Sequence, residues 1–284
     1  MVSTEAVYIP QGSIAQIITY LEEKNFDIAP NVDKYLLYSI GQPQSGWIDV
    51  GKNNLTIGDF LYKLTTSKAA MKTLTLIPGE TIDIFLLETS KEFSLSYDEL
   101  MKAYLELSPL RDGFIVPETY KVPMGIEERH LIGYLVSYAL DYNEKISLKI
   151  FGKFDKESWY RYLIIASIIQ KEAANEEEMK LVSSVIYNRL KIGMPLQMDG
   201  TLNYGKYSHV AVTAQRIKED KSKYNTYIHK GLPPVPISSV KKEAIIAAIF
   251  PKKTNYKYFV KSKNGDHIFS ASYAEHIKNI YKLR

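Results

Sequence analysis

The stretch Tyr162–Ala173, YLIIASIIQKEA, decides how the second half of the chain is read. At 100° per residue, Ile165, Ile168, Ile169 and Glu172 fall on one stripe while Gln170 and Lys171 point elsewhere. An acid therefore sits on the apolar face of a predicted helix. Asn175, with Glu178 three residues on, has the pattern of a new N-cap and capping box, and Glu176 and Glu177 occupy a first turn that favours negative charge. Glu172 is thus placed at a helix C-terminus. Apolar neighbours and the negative helix end both disfavour the carboxylate, which predicts a raised pKa and a protonated fraction near neutrality, as a general acid needs. The alternative is an ordinary solvent-reaching Glu closing a core helix.

Outward from that stretch, Val182, Val185, Ile186, Asn188, Arg189 and Leu190 mark a second amphipathic helix with Gly193 as its stop. The loop that follows, Pro195-Leu196-Gln197-Met198-Asp199-Gly200-Thr201-Leu202-Asn203-Tyr204-Gly205, is dense in hydroxyl, amide and carboxyl groups. Tyr224-Asn225-Thr226-Tyr227 and Gly231-Leu232-Pro233-Pro234 form an aromatic and proline-rich wall that excludes regular secondary structure. Tyr rings bracketing an Asn amide suit a sugar cleft, with flat faces for pyranose CH groups and an amide for hydroxyls or N-acetyl groups. A rigid surface loop with packed Tyr rings is the competing reading.

Three runs, ASIIQKEAANEEEMKLVSSVIYNRLKIGMPLQMDGTLNYG, YNTYIHKGLPP and KYFVKSKNGDHIFSASYAEH, resemble in order and spacing the YceG-like endolytic murein transglycosylases (MltG family). Weaker echoes precede them: Leu76-Ile77-Pro78-Gly79-Glu80, and Asp112 to Tyr120, similar to the family's E-G-x-x-x-P-D-T-Y. The family's E-K-E stands here as Gln170-Lys171-Glu172, and its last acid is catalytic, so the resemblance gives that role to Glu172. The acid six residues downstream is Glu178, and N-R-L is Asn188-Arg189-Leu190. In the family's L-Q-T-D-P-T this chain has Met198 for Thr and Gly200 for Pro, which leaves Gln197, Asp199 and Thr201 in place. With Tyr204, Tyr224, Asn225, Tyr227 and the hairpin residue His267 they are the expected substrate-binding set.

The resemblance implies a lytic transglycosylase that cleaves the β-1,4 bond between N-acetylmuramic acid and N-acetylglucosamine internally in peptidoglycan strands. One Glu would act as acid and then base, leaving 1,6-anhydro ends, with no cofactor and no metal. It also implies an N-terminal anchor helix ahead of Met1–Glu5 in the bacterial inner (cell) membrane, the catalytic part in the periplasm or outside the membrane, and peptidoglycan synthase or divisome proteins as partners. Two rival readings stay open. One is a non-catalytic peptidoglycan-binding or divisome scaffold protein; the other is a water-using muramidase, with Asp199 or Glu178 as a second acid about 5 to 9.5 Å from Glu172. His267 and His276 lack the spacing of a metal motif.

Composition sets the outer bounds. The 284 residues can bury a sizeable core, and 45% hydrophobic with 24% charged residues indicates a globular chain. The net charge of +4 comes from Lys scattered among acids, which argues against a nucleic-acid stripe. With no cysteine, disulfides and thiolate chemistry are excluded. No stretch approaches the ~20 apolar residues of a membrane span.

The expected fold is α+β: an N-terminal LysM-like βααβ module over 1–72, then a mixed α/β catalytic domain over 73–284, with a linker region at 109–155, a helical core and a β-hairpin. Val7 to Pro10 and Gly46 to Gly51 read as strands flanking helices that begin after Ser13 and near Val32. Trp47 suits either a sugar face or a core. A helix from Ile126 to Lys145 is expected to present Leu131, Leu135, Tyr138 and Leu140 to the core, Phe151 to Asp155 to link it to the next helix, and Ser239 to start a helix ending at Ile249. Asn264-Gly265 marks the hairpin turn.

Overall fold

The computed structural model describes residues 6–51 and 55–283, and the chain divides into two compact units, Met1–Leu74 with Thr119–Glu127, and Thr75–Glu118 with Glu128–Arg284. The segment Thr119–Glu127 belongs with the first unit, so the division is not a single cut after residue 72.

In the first unit β1 (Ala6–Ile9), α1 (Ile14–Glu23), α2 (Pro30–Ile40) and β2 (Gly46–Asp49) follow in the expected β, α, α, β order, then α3 (Ile57–Thr66) and β3 (Met71–Thr75). β1 and β2 pair antiparallel, Val7 opposite Ile48, and β3 pairs with β4 (Thr119–Pro123). Local chemistry fixes the helix starts. The Ser13 hydroxyl accepts the Gln16 N–H while the Gln16 side chain accepts the Ser13 N–H at 2.8 Å, a reciprocal cap, and Thr56 caps α3 in the same way from one side. Ile14, Ile17, Ile18 and Leu21 all lie in the core, as their spacing requires. Trp47 packs edge-on against Tyr8, ring centroids 5.7 Å apart, and covers Gly125, where an added Cβ would stand 2.6 Å from the indole. Gly125 also has φ +73°, so both backbone and space demand glycine there.

The second unit is mainly helical: α4 (Ile82–Phe93), α5 (Tyr97–Leu107), α6 (Glu128–Phe151), α7 (Lys156–Glu172), α8 (Glu176–Lys191), α9 (Ala214–Glu219) and α10 (Lys242–Ile249) precede the hairpin β5 (Tyr258–Lys261) and β6 (His267–Ser270) and the closing α11 (Tyr273–Leu283). α6 corrects the sequence reading twice. It runs through Phe151, so the link to α7 is shorter, and its buried face holds Leu131, Ile132, Leu135, Val136 and Ala139, while Tyr138 and Leu140 are more than a third exposed. Tyr tolerates a wet position because its hydroxyl stays solvated, which makes it a poor marker of the inner face. Farther along, Asn143 accepts the indole N–H of buried Trp159 at 2.9 Å and ties α6 to α7. Ser239 does not start α10. Its hydroxyl donates to the Ile77 carbonyl at 2.9 Å and its N–H to the Glu80 carbonyl at 2.8 Å, which fastens this segment to the Leu76–Glu80 turn. Among the described residues no helix is long and apolar enough to cross a membrane.

Candidate active site

α7 is started by Asp155, whose carboxylate accepts the Ser158 N–H at 2.8 Å, and it ends on Glu172 with extended Ala173 as the cap. Ile165, Ile168 and Ile169 are fully buried on the predicted stripe, and Glu172 follows them at its partly exposed end. Burial pushes the Glu172 pKa up to about 7, with nearby Asp199 acting in the same direction; the Gly200 N–H and the Arg189 guanidinium pull against it.

The loop at 196–202 faces this carboxyl and is held from both ends. Arg189, buried on α8, donates through Nη1 to the Leu196 carbonyl and through Nε to the Lys257 carbonyl at 2.6 Å. Thr226 receives the other side of the loop: its carbonyl accepts the Gln197 N–H at 3.0 Å and its hydroxyl the Met198 N–H at 3.2 Å. The 3-10 turn Asp199–Leu202 then aims the Gly200 N–H at Glu172 Oε1, 2.6 Å away. The family pattern has proline at this position, and a proline has no N–H to give. Gly200 therefore supplies Glu172 with a donor that such a loop would lack, and a Cβ there would stand 2.7 Å from Lys171 Cβ and 2.9 Å from Glu172 Oε1.

The expected binding residues fall into two groups. Gln197 is exposed beside the turn, on a backbone at φ +49°, and exposed Asp199, which lies near Glu172, accepts the Tyr227 hydroxyl at 2.5 Å. Tyr204 and Tyr224 stack on each other, centroids 4.2 Å apart, farther along the same two loops. Three of the expected residues are engaged within the protein. Thr201 is fully buried, its hydroxyl bonded to the Met198 carbonyl and to Thr226 Oγ1, because it closes the turn from inside. Asn225 is also buried; its amide donates to the Ile217 and Asp220 carbonyls and its oxygen accepts the Tyr227 N–H, leaving nothing for a sugar.

His267 is the third. It points at Glu178, which accepts its N–H at 2.6 Å and lies 2.7 Å from its Nδ1. Glu178 consequently does not complete a capping box. Asn175 does accept the Glu178 N–H, but the Glu178 carboxylate turns to His267 and to the Ala174 N–H, which it accepts at 3.2 Å. Burial raises its pKa, yet these hydrogen bonds win and hold it below the ordinary carboxylate value. Glu178 thus locks the hairpin to the turn that follows Glu172.

Lys171, off the stripe that carries Glu172, has a structural task of its own. Its ammonium donates to the Ser208 hydroxyl at 3.0 Å near buried Glu80 and Asp112. Asp112 accepts the Ile82 and Gly113 N–H groups, and burial raises its pKa to about 7. The folded pKa values of Glu172 and Asp112 both lie above the ordinary 4.5 and 3.8, so the folded state holds extra protons between those values and about 7. Their contribution to stability is complete below that window and is lost as pH rises through it, on the order of 3–4 kcal/mol each. The melting temperature is expected to fall between pH 5.5 and 8, and Asp112→Asn, which keeps both acceptor contacts, to remove roughly half of that fall. An identical pH slope in the variant would show that Asp112 ionises as freely in the fold as outside it.

α7 thus ends on an acid that faces a loop locked by Arg189. The chain belongs to the YceG-like family, whose sequence profile matches residues 7–282. It is 28% identical to a protein of Bacillus subtilis (strain 168) named endolytic murein transglycosylase, over 97% of this chain and 84% of that one. A protein of the same name from Streptococcus pneumoniae (strain ATCC BAA-255 / R6) is 30% identical over 62% of this chain, which is 34% of its own length. A 2.6 Å crystal structure of a yceG-like protein from Listeria monocytogenes superposes with a TM-score of 0.64 at 25% identity, covering 96% of this chain and 97% of that one.

Proposed function

We propose that the chain is a lytic transglycosylase that cuts peptidoglycan strands internally between N-acetylmuramic acid and N-acetylglucosamine, with Glu172 as the only proton-transfer group. The supporting observation is the Glu172 carboxyl itself, partly exposed at a helix end, lifted to about 7 by burial and held by one N–H. Protonated Glu172 gives its proton to the glycosidic oxygen as that bond to C1 breaks. The carboxylate left behind then removes the proton from the muramyl 6-hydroxyl, and that oxygen closes on C1 to form the 1,6-anhydro ring. Because the nucleophile belongs to the sugar, no second carboxylate is required, in contrast to paired-acid hydrolases. Glu178, bonded to His267 and Ala174, is unsuited to be that second acid, and Asp199 is engaged by Tyr227. The exposed amide of Gln197 and the sugar's own acetamido group are left to support the oxocarbenium-like transition state.

The β1–α1–α2–β2 order of the first unit supports reading it as a LysM-like module that holds the glycan strand, with the enzyme working on the wall side of the bacterial cell membrane. Digesting purified glycan strands and weighing the fragments tests the central claim. Anhydro ends are expected; hydrated reducing ends would mean a muramidase, and intact strands a binding protein.

A further inference from the structure

A cavity of about 370 Å³ opens in the second unit, away from Glu172. Its wall includes Asp83 on α4, Arg111 and Asp112 in the turn before β4, Tyr204 and Lys206 from the loop after Gly200, and Tyr224. Two stretches connect it to the Glu172 carboxyl: residues 199–205, which begin with the turn bonded to Glu172, and 222–227, which end with the tyrosine bonded to Asp199. Both are fixed from behind. Thr81 Oγ1 donates to the Gly205 carbonyl at 2.8 Å, Lys171 holds Ser208, and the Asn225 amide grips Ile217 and Asp220.

The charges are what set this cavity apart. Arg111 is exposed and has no hydrogen bond or salt bridge to any described residue, although Asp83 and Asp112 share the cavity with it. Asp112 is committed to two backbone N–H groups, while Asp83 receives only the Tyr97 hydroxyl, at 3.2 Å on one oxygen, and is half-buried at the rim. A free guanidinium and a carboxylate held apart on one cavity are not what a neutral pyranose needs. They match a ligand carrying both a carboxylate, which a guanidinium fork receives in two parallel hydrogen bonds, and an ammonium or amide N–H. The size is that of a small-ligand site, about 300–1,000 Å³. The stacked Tyr204–Tyr224 pair adds an apolar wall for aliphatic side chains.

We infer that this cavity receives the peptide stem of the strand, with Arg111 on a stem carboxylate, Asp83 on an amino or amide N–H, and the tyrosine pair against the chain between them. The inference rests on the reading of peptidoglycan as substrate. It makes the enzyme selective for strands that still bear stems.

Two measurements on the full chain test it. In the first, kcat/KM is compared on stem-bearing strands and on strands stripped of their stems by an amidase. The unaltered protein is expected to prefer the former, and Arg111→Gln to lower that preference about tenfold or more, the loss expected of one charge-assisted contact of ~1.5–3 kcal/mol. An equal fall on both substrates would overturn the assignment. In the second, a synthetic stem tetrapeptide is titrated calorimetrically into Glu172→Gln protein with and without Arg111→Gln and Asp83→Asn. Binding weakened by either change supports the cavity; no binding, or binding indifferent to both, overturns it. Because the titration involves no turnover, a protein that cleaves neither strand would defeat the transglycosylase reading while leaving this assignment to be decided by the peptide alone.

Discussion

Glu172→Gln is expected to lower strand cleavage by about 10²–10⁴-fold, the usual contribution of a positioned proton donor, while the protein melts at the same temperature as the unaltered chain or higher. The amide can still accept the Gly200 N–H through its oxygen, so the turn at Asp199–Leu202 keeps its anchor. What disappears is the proton. Above about pH 7 the variant also escapes the cost of ionising a group that burial disfavours, so its advantage in melting temperature should grow with pH. For the unaltered enzyme the same value places the alkaline limb of the rate profile near pH 7, since the acid must begin protonated. Fluorimetric melting and quantification of anhydro ends check both halves. If the variant kept more than a tenth of the parent turnover, Glu172 would be a structural helix end and the acid would have to be sought elsewhere.

Gly200→Ala is expected to reduce kcat about a hundredfold with little change in overall fold. The added methyl would meet Lys171 Cβ at 2.7 Å, an atom next to the backbone of α7 that cannot swing aside, and Glu172 Oε1 at 2.9 Å. The loop must therefore withdraw, the 2.6 Å hydrogen bond to Glu172 must lengthen, and misplacement of a catalytic group by ~1 Å can cost that much rate. There is a distinguishing signature. The Gly200 N–H pulls the Glu172 pKa down, so weakening it should move the alkaline limb to higher pH as the rate drops. Full activity with an unshifted limb would mean that the loop does not rest on Glu172 during turnover.

What the sequence made legible was chiefly local. Ser13 and Asn175 each accept an N–H three residues ahead, and such contacts are written in adjacent letters. The stripe ending in Glu172 belongs to the same kind of signal, because helical periodicity alone places it. The failures needed distance. Glu178 has the spacing of a capping box, yet a partner 89 residues away took its carboxylate. Asn225 and Thr201 have sugar-binding chemistry, and only the fold reveals that both face inward. Gly200 looked like the loss of a rigid proline; its N–H and its missing Cβ acquire meaning only when α7 is brought against it. For α6, large side chains on several faces left the periodicity ambiguous, and the tyrosines took the outer side.

The frame around Glu172 draws on residues made well after it. Arg189 is braced by the Lys257 carbonyl, and the turn after Glu172 is clasped through Glu178 to His267. During synthesis the acid emerges from the ribosome some ninety residues before the groups that orient it, 267 against 172 in the numbering. A nascent or prematurely terminated polypeptide would thus own Glu172 without its setting, and on the mechanism we propose it would gain competence for bond cleavage only with the hairpin.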